Sequence, residues 1–191
     1  QKLDSTPVEG APETENNASY VLDGQQRITA IYYAVKAPKI GLPNTIKPYV
    51  FFVNINALLD PTSHSSEIVD SFPLEIAEKN GLLDEKTQFA KKKFPLSELK
   101  NNGGSNWLFG FQDYLQEQEE YEKNEARNYY VKLNEIFGHV WSKYEVPIVK
   151  LSDTVSYDNV IKVFERINSK GTQLDVFDLL NARFALYDIT L

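Results

Sequence analysis

"YVLDGQQRITAIYYAV", residues 20–35, passes from a short apolar run through Asp-Gly straight into an amphipathic pattern. Tyr20–Leu22 reads as a strand. In the pattern that follows, Ile28, Ile31, Tyr32 and Val35 recur at i, i+3, i+4 and i+7, the spacing of one apolar helix stripe. The junction between them has two readings. As a helix cap, Asp23 is the N-cap, Gly24 eases the turn, and Gln26 at the third helical position reaches back to the cap amide. Such a cap contributes about 1 kcal/mol and needs no ligand. As a phosphate site, the first free amides and the helix dipole favour an anion. Gly24 then admits it to the backbone, and Arg27 grips its oxygens two at a time. The cap explains Asp23 and Gln26. It gives no reason for Arg27.

Outward from this junction the chain reads as α+β. Pro38 and Gly41 end the first helix, and "PYVFFVNI" (48–55) is a strand apolar on both faces, as suits one covered on both sides. A helix is expected near 73–80, a solvated face at Lys91–Lys93, and a flexible loop at "NNGGSN" (101–106). Trp107, Phe109 and Phe111 read as core. Residues 116–128 read as a solvated helix face leading into a long helix on which Tyr130, Leu133, Phe137, Val140, Trp141 and Tyr144 keep helical spacing. "VPIVKL" (146–151) reads as a strand, 157–168 as a helix, and Asp175 as the start of a last helix. Residues 1–19, polar with two prolines, read as an arm or hairpin loop.

Composition removes whole classes of chemistry. The 191 residues are 42% hydrophobic and 13% aromatic, enough for a packed core, and carry no apolar run of membrane-spanning length. Cysteine is absent, which excludes disulfides, thiolate nucleophiles and thiolate metal sites, and fits a cytoplasmic location. Methionine is absent even at position 1, so Gln1 suggests a piece of a longer protein. A net charge of −7 argues against a general DNA-coating surface. His64 and His139 have no partner at metal-ligand spacing, and no Ser-His-Asp set, Walker-type loop or paired-carboxylate pattern stands out.

A second stretch, "VFERINSKGTQLDVFDLL" (163–180), also has two readings. It is a corner in which Asn168 and Gly171 end one helix and Asp175 caps the next. Alternatively, Asn168, Lys170 and the amides around Gly171–Thr172 form a polar nest.

Together, "VLDGQQRITAI" and "FERINSKGTQLDVFDLL" resemble the N-terminal domain of GmrSD-type, modification-dependent restriction enzymes, with their DGQQR signature and a second F-x-x-x-N-x-x-G-x-x-L signature. Phe164, Asn168, Gly171 and Leu174 fill the second at the same spacing. The resemblance implies a ParB/sulfiredoxin-like α+β core. That core would be a small mixed sheet in a single domain over 20–191, with a helical insertion at about 57–145 and C-terminal helices. It implies a domain that binds and hydrolyses nucleoside triphosphate with Mg²⁺ and so regulates a nuclease domain or subunit. Asp23 and Arg27 would be catalytic; Gly24, Gln25, Gln26, Arg27, Asn168, Lys170 and Gly171 would bind the nucleotide. No nuclease site and no membrane partner are expected in this chain, and DNA would be met through parts outside it. The alternative is a non-catalytic DNA- or protein-binding module of the same system. Two departures accompany the match. Residues 1–19 lack the P-x-Y-Q-R-like segment of the family, and Asn181 stands where many relatives have a basic residue, with Arg183 two places on.

Overall fold

A computed structural model describes residues 21, 24–41, 46–143, 145, 148, 150–152 and 154–168. They divide between two compact units. One is built on Gln25–Glu145; the other holds Val21, Gly24 and the described residues from 148 onward.

The first unit begins with α1 (Gln25–Lys36) and β1 (Tyr49–Asn54). Short helices α2 (Ile55–Leu59) and α3 (Ser65–Ile68) lead to β2 (Val69–Pro73). After α4 (Leu74–Lys79) and α5 (Glu85–Ala90) comes β3 (Lys93–Pro95). Two 3₁₀ turns, Leu96–Lys100 and Asn102–Gly104, precede the longer helices α6 (Ser105–Glu117) and α7 (Lys123–Lys143). The fold class is α+β, as expected.

The described sheet has the order β2-β1-β3, and both pairings are antiparallel. Phe52 of β1 faces Asp70 and Pro95, and Val53 faces Val69 and Phe94. As neighbours in a strand, Phe52 and Val53 point to opposite faces, yet both are buried. Each face therefore has its own cover. Phe52 packs with Ala77 and Leu82, while Val53 joins a larger cluster with Phe89, Phe94, Trp107, Phe111, Leu133 and Phe137. Within that cluster the Phe94 and Phe137 rings stack at 4.1 Å, and Trp107 meets the edge of Phe89 at 4.9 Å. Aromatic pairs of this kind add about 0.5–1.5 kcal/mol each beyond area burial.

Local chemistry starts the short helices. Asn54 ends β1 and caps α2 by accepting from the Ala57 amide. Asp84 caps α5 by accepting from the Thr87 amide at 2.9 Å and its hydroxyl at 3.0 Å, which together hold the carboxyl below its ordinary value.

Several expectations change. The region 57–145 is not a purely helical insertion, because it supplies β2 and β3. "NNGGSN" is not a flexible loop: Gly103 and Gly104 are buried, and α6 starts at Ser105. Glycine is needed at 104, where φ is +79° and an added Cβ would stand 2.5 Å from the Phe94 ring. The solvated face at 116–128 is broken, since α6 stops at Glu117 and α7 opens only at Lys123. On α7, Leu133 and Phe137 are buried, but Val140 and Trp141 are about half exposed. Trp107 and Phe111 are core; Phe109 is exposed and stacks on Tyr130 at 4.7 Å.

The Lys91–Lys93 run is likewise no plain solvated face. Lys91 is exposed, Lys92 sits over the rings of Tyr121 and Tyr129, and Lys93 pairs with Asp70.

In the second unit, α8 (Tyr157–Asn168) matches the helix expected there. The strand at Tyr20–Leu22 falls outside the described residues save Val21, which lies in no strand. The same holds for 146–151, whose described members, Ile148, Lys150 and Leu151, are also in no strand. The arm 1–19 and the helix from Asp175 lie outside the described residues.

Candidate functional site at the amino end of α1

Among the described residues, Tyr33 is the fully buried side chain of helix α1. Its hydroxyl donates to the Gly41 carbonyl at 2.6 Å. The helix packs against β1 and the 3₁₀ turn Leu96–Lys100. This is not the face that apolar spacing suggests. At about 100° per residue, Ile31 and Val35 lie about 160° around the helix from Tyr33, and Ile28 about 140°. Ile28 and Ile31 are accordingly 39% and 51% exposed. A tyrosine with a hydroxyl partner thus takes the core position in place of the isoleucines.

This packing leaves the first turn at the surface. Gln25, Gln26 and Arg27 are consecutive, exposed, and at the start of the helix. Gly24 precedes them at φ +84°, a left-handed conformation natural to glycine, and an added Cβ there would meet nothing within 4 Å. The helix begins one residue later than the capping-box reading requires. With Gln25 as the first helical residue, the third is Arg27 rather than Gln26, so Gln26 is not placed to close a box.

The charges of α1 are unusual for a helix. Its first turn contains no acid and one cation, Arg27, while its last turn carries Lys36. Lys36 complements the negative carboxyl end. Arg27 stands at the positive end, where a cation costs about 0.3–1 kcal/mol. An anion met at this turn would find the first helical amides, which lack intrahelical acceptors, and a guanidinium beside them.

Of the residues singled out in the sequence, α1 brings Gln25, Gln26 and Arg27 together. Asn168 closes α8 in the second unit. Asp23, Lys170 and Gly171 lie outside the described residues. Among the described residues no group of three or more His, Cys, Asp or Glu side chains could hold a metal ion. His64 has a local task, its backbone amide donating to the Glu67 carboxylate at 2.9 Å at the start of α3.

The family model for the GmrSD restriction endonuclease N-terminal domain matches residues 8–185. The chain belongs to this family. The GmrSD-type domain is also similar to an uncharacterized protein of Methanocaldococcus jannaschii, 34% identical over 195 residues. That match takes in 93% of this chain and 30% of the relative, so the domain spans about a third of the length of the protein it matches. No solved structure matches the chain. Among the described residues no helix is long and apolar enough to cross a membrane.

Proposed function

We propose that this GmrSD-type domain binds nucleoside triphosphate at the amino end of α1 and, by hydrolysing it, regulates the nuclease of a restriction system that acts on modified DNA. The observation that carries this reading is Arg27. It stands exposed in the first turn of α1, with no acid in that turn and with a charge that works against the helix's own dipole. A bound phosphate reverses that penalty, since its negative charge complements the amino end of the helix dipole and the positive charge of Arg27 together.

In this reading each residue has a chemical task. The amides that follow Gly24 cradle a phosphate, and the glycine lets it approach without a Cβ in the way. Gln25 and Gln26 add neutral donors beside them. Arg27 offers two parallel N–H groups to phosphate oxygens and stabilises charge that develops there during transfer to water. Magnesium would enter as the nucleotide's counter-ion, with Asp23 as its partner on the protein. Asn168, Lys170 and Gly171, of the second signature, enter this reading through the family resemblance alone. Catalysis of this type rests on positioning and charge neutralisation more than on covalent chemistry.

The test is a calorimetric titration of ATP, GTP and CTP with Mg²⁺ into the chain and into Arg27→Ala, paired with a phosphate-release assay. Saturable binding that weakens about tenfold or more in the variant is the expected result, as for loss of a charge-assisted contact. Equal binding by both proteins, or none by either while both remain folded, would return the DGQQR turn to a helix start and no more. Binding without phosphate release would leave a nucleotide-responsive module that does not hydrolyse.

A further inference from the structure

A cavity of about 190 Å³ opens at the other end of α1, bounded by Ala34 and Ala37 of the helix terminus. Apolar Val50, Phe52, Leu83 and Pro95 line it, as do the polar residues Ser97 and Glu98 of the 3₁₀ turn. All of these residues belong to the first compact unit. A cavity of about 150 Å³ is known to hold a benzene molecule, so one aromatic ring with a short substituent is the right scale.

The electrostatics of this cavity have one sign. The carboxyl end of a helix carries about half a negative charge, and Ala34 and Ala37 at that end of α1 line the cavity. Glu98 adds a full carboxylate. One of its oxygens accepts from the Asn101 amide at 2.9 Å, and among the described residues no cation pairs with it. Lys36, in the last turn of α1, is exposed and does not line the cavity. Gln88 reaches the wall, but its oxygen is taken by Trp107 and its amide by the Leu82 carbonyl. Gln88 is thus committed, the Ser97 hydroxyl can donate or accept, and among the lining residues Glu98 is the charged one.

We propose that this cavity binds a small organic cation, a primary ammonium on an apolar body about the size of one aromatic ring. The ammonium would meet the Glu98 carboxylate and the carboxyl end of α1, with the Ser97 hydroxyl as a further acceptor. The apolar body would fill the space between Val50, Phe52, Leu83 and Pro95. Burial of the ring drives entry, and the carboxylate selects for charge. The site is independent of any phosphate site at the amino end of the same helix.

Benzylammonium tests this against benzyl alcohol, its neutral counterpart of nearly equal size, by titration into the ¹⁵N-labelled chain. Saturable amide shifts at Ala34, Ala37, Ser97 and Glu98 are expected for the amine, with the alcohol bound about fivefold more weakly. Glu98→Gln is expected to remove that preference while keeping the shape of the cavity. Ala34→Leu, which fills the chamber from a helical position, is expected to abolish both ligands' shifts. Absence of saturable shifts at these residues overturns the proposal, and so does an unchanged preference for the amine in Glu98→Gln.

Discussion

The indole nitrogen of Trp107 donates to the side-chain oxygen of Gln88 at 2.8 Å, and the Gln88 amide donates to the Leu82 carbonyl at 2.8 Å. Both side chains are buried, at 2% and 7% exposure, and among the described residues Gln88 is the one buried polar side chain. It ties α6 to the loop before α5 through a single satisfied network. Such networks fix one arrangement of a core when complete and cost heavily when cut.

Gln88→Leu is expected to destabilise the domain by about 2–4 kcal/mol. The leucine is apolar and of similar size, but it strands both the Trp107 N–H and the Leu82 carbonyl, at about 1–3 kcal/mol each. Urea unfolding followed by tryptophan fluorescence measures it. A change under about 0.5 kcal/mol would mean that water or a shifted neighbour replaces the amide.

Two glycines with similar backbones should differ sharply when replaced by alanine. Gly24 and Gly104 have φ of +84° and +79°, so both alanines carry a left-handed penalty of about 1–2 kcal/mol. At Gly104 the new methyl also meets the Phe94 ring at 2.5–2.6 Å, and Phe94 is fully buried against Phe137. Overpacking adds about 1–3 kcal/mol there. Thermal unfolding of both variants reads the difference, and equal losses would contradict the packing around Phe94.

Lys92 links the end of α5 to the aromatic side of α7. Its φ is +51°, a conformation glycine or asparagine takes more readily. Its ammonium lies 5.0 Å from the Tyr129 ring centre and 5.2 Å from that of Tyr121, and it donates to the Tyr129 hydroxyl at 3.3 Å. Partial burial alone would lower its pKa, but the two tyrosines outweigh burial and raise it above the ordinary lysine value of 10.5. A raised value in the folded state means that the contribution is complete below pH 10.5 and is lost as pH climbs through the higher folded value. Wild type should therefore melt above Lys92→Met at pH 8, with the gap closing above about pH 10.5. A gap independent of pH would assign the residue a packing role only.

Legibility in the sequence followed the strength of the local signal. "YVFFV" is apolar at every position, and β1 formed where it said. Helices α4 and α8 also appeared within a residue or two of expectation. Strands β2 and β3 did not show, because "VDSFP" carries two polar residues and a proline and "KFP" is too short for any period. Asn and Gly at 101–104 signalled a loop, but there the missing side chains let backbone approach Phe94. The first helix was legible in extent and not in orientation, since hydrophobicity ranks Ile31 above Tyr33 and the sequence does not show the bond from the Tyr33 hydroxyl to the Gly41 carbonyl. Of the candidate phosphate site, the Gln25–Arg27 turn could be read directly. The cavity beside Glu98 could not, as its walls come from α1, β1 and the turn after β3.

Asp70 and Lys93 close the sheet across its central strand. Asp70 lies on β2 opposite Phe52, Lys93 lies on β3 opposite Asn54, and the two side chains meet in an ion pair over β1. They are 31% and 19% exposed, so solvent screens the pair only in part. Asp70→Asn removes the charge and leaves a half-buried ammonium without its counter-ion. The expected loss is about 1–2 kcal/mol, between the values for exposed and buried pairs. Asp70→Asn combined with Lys93→Met should recover part of it, because the double variant strands no charge. Chemical unfolding of the two single variants and the double variant measures the coupling. Strictly additive losses would show that the pair holds the two edge strands together no better than their backbone ladders already do.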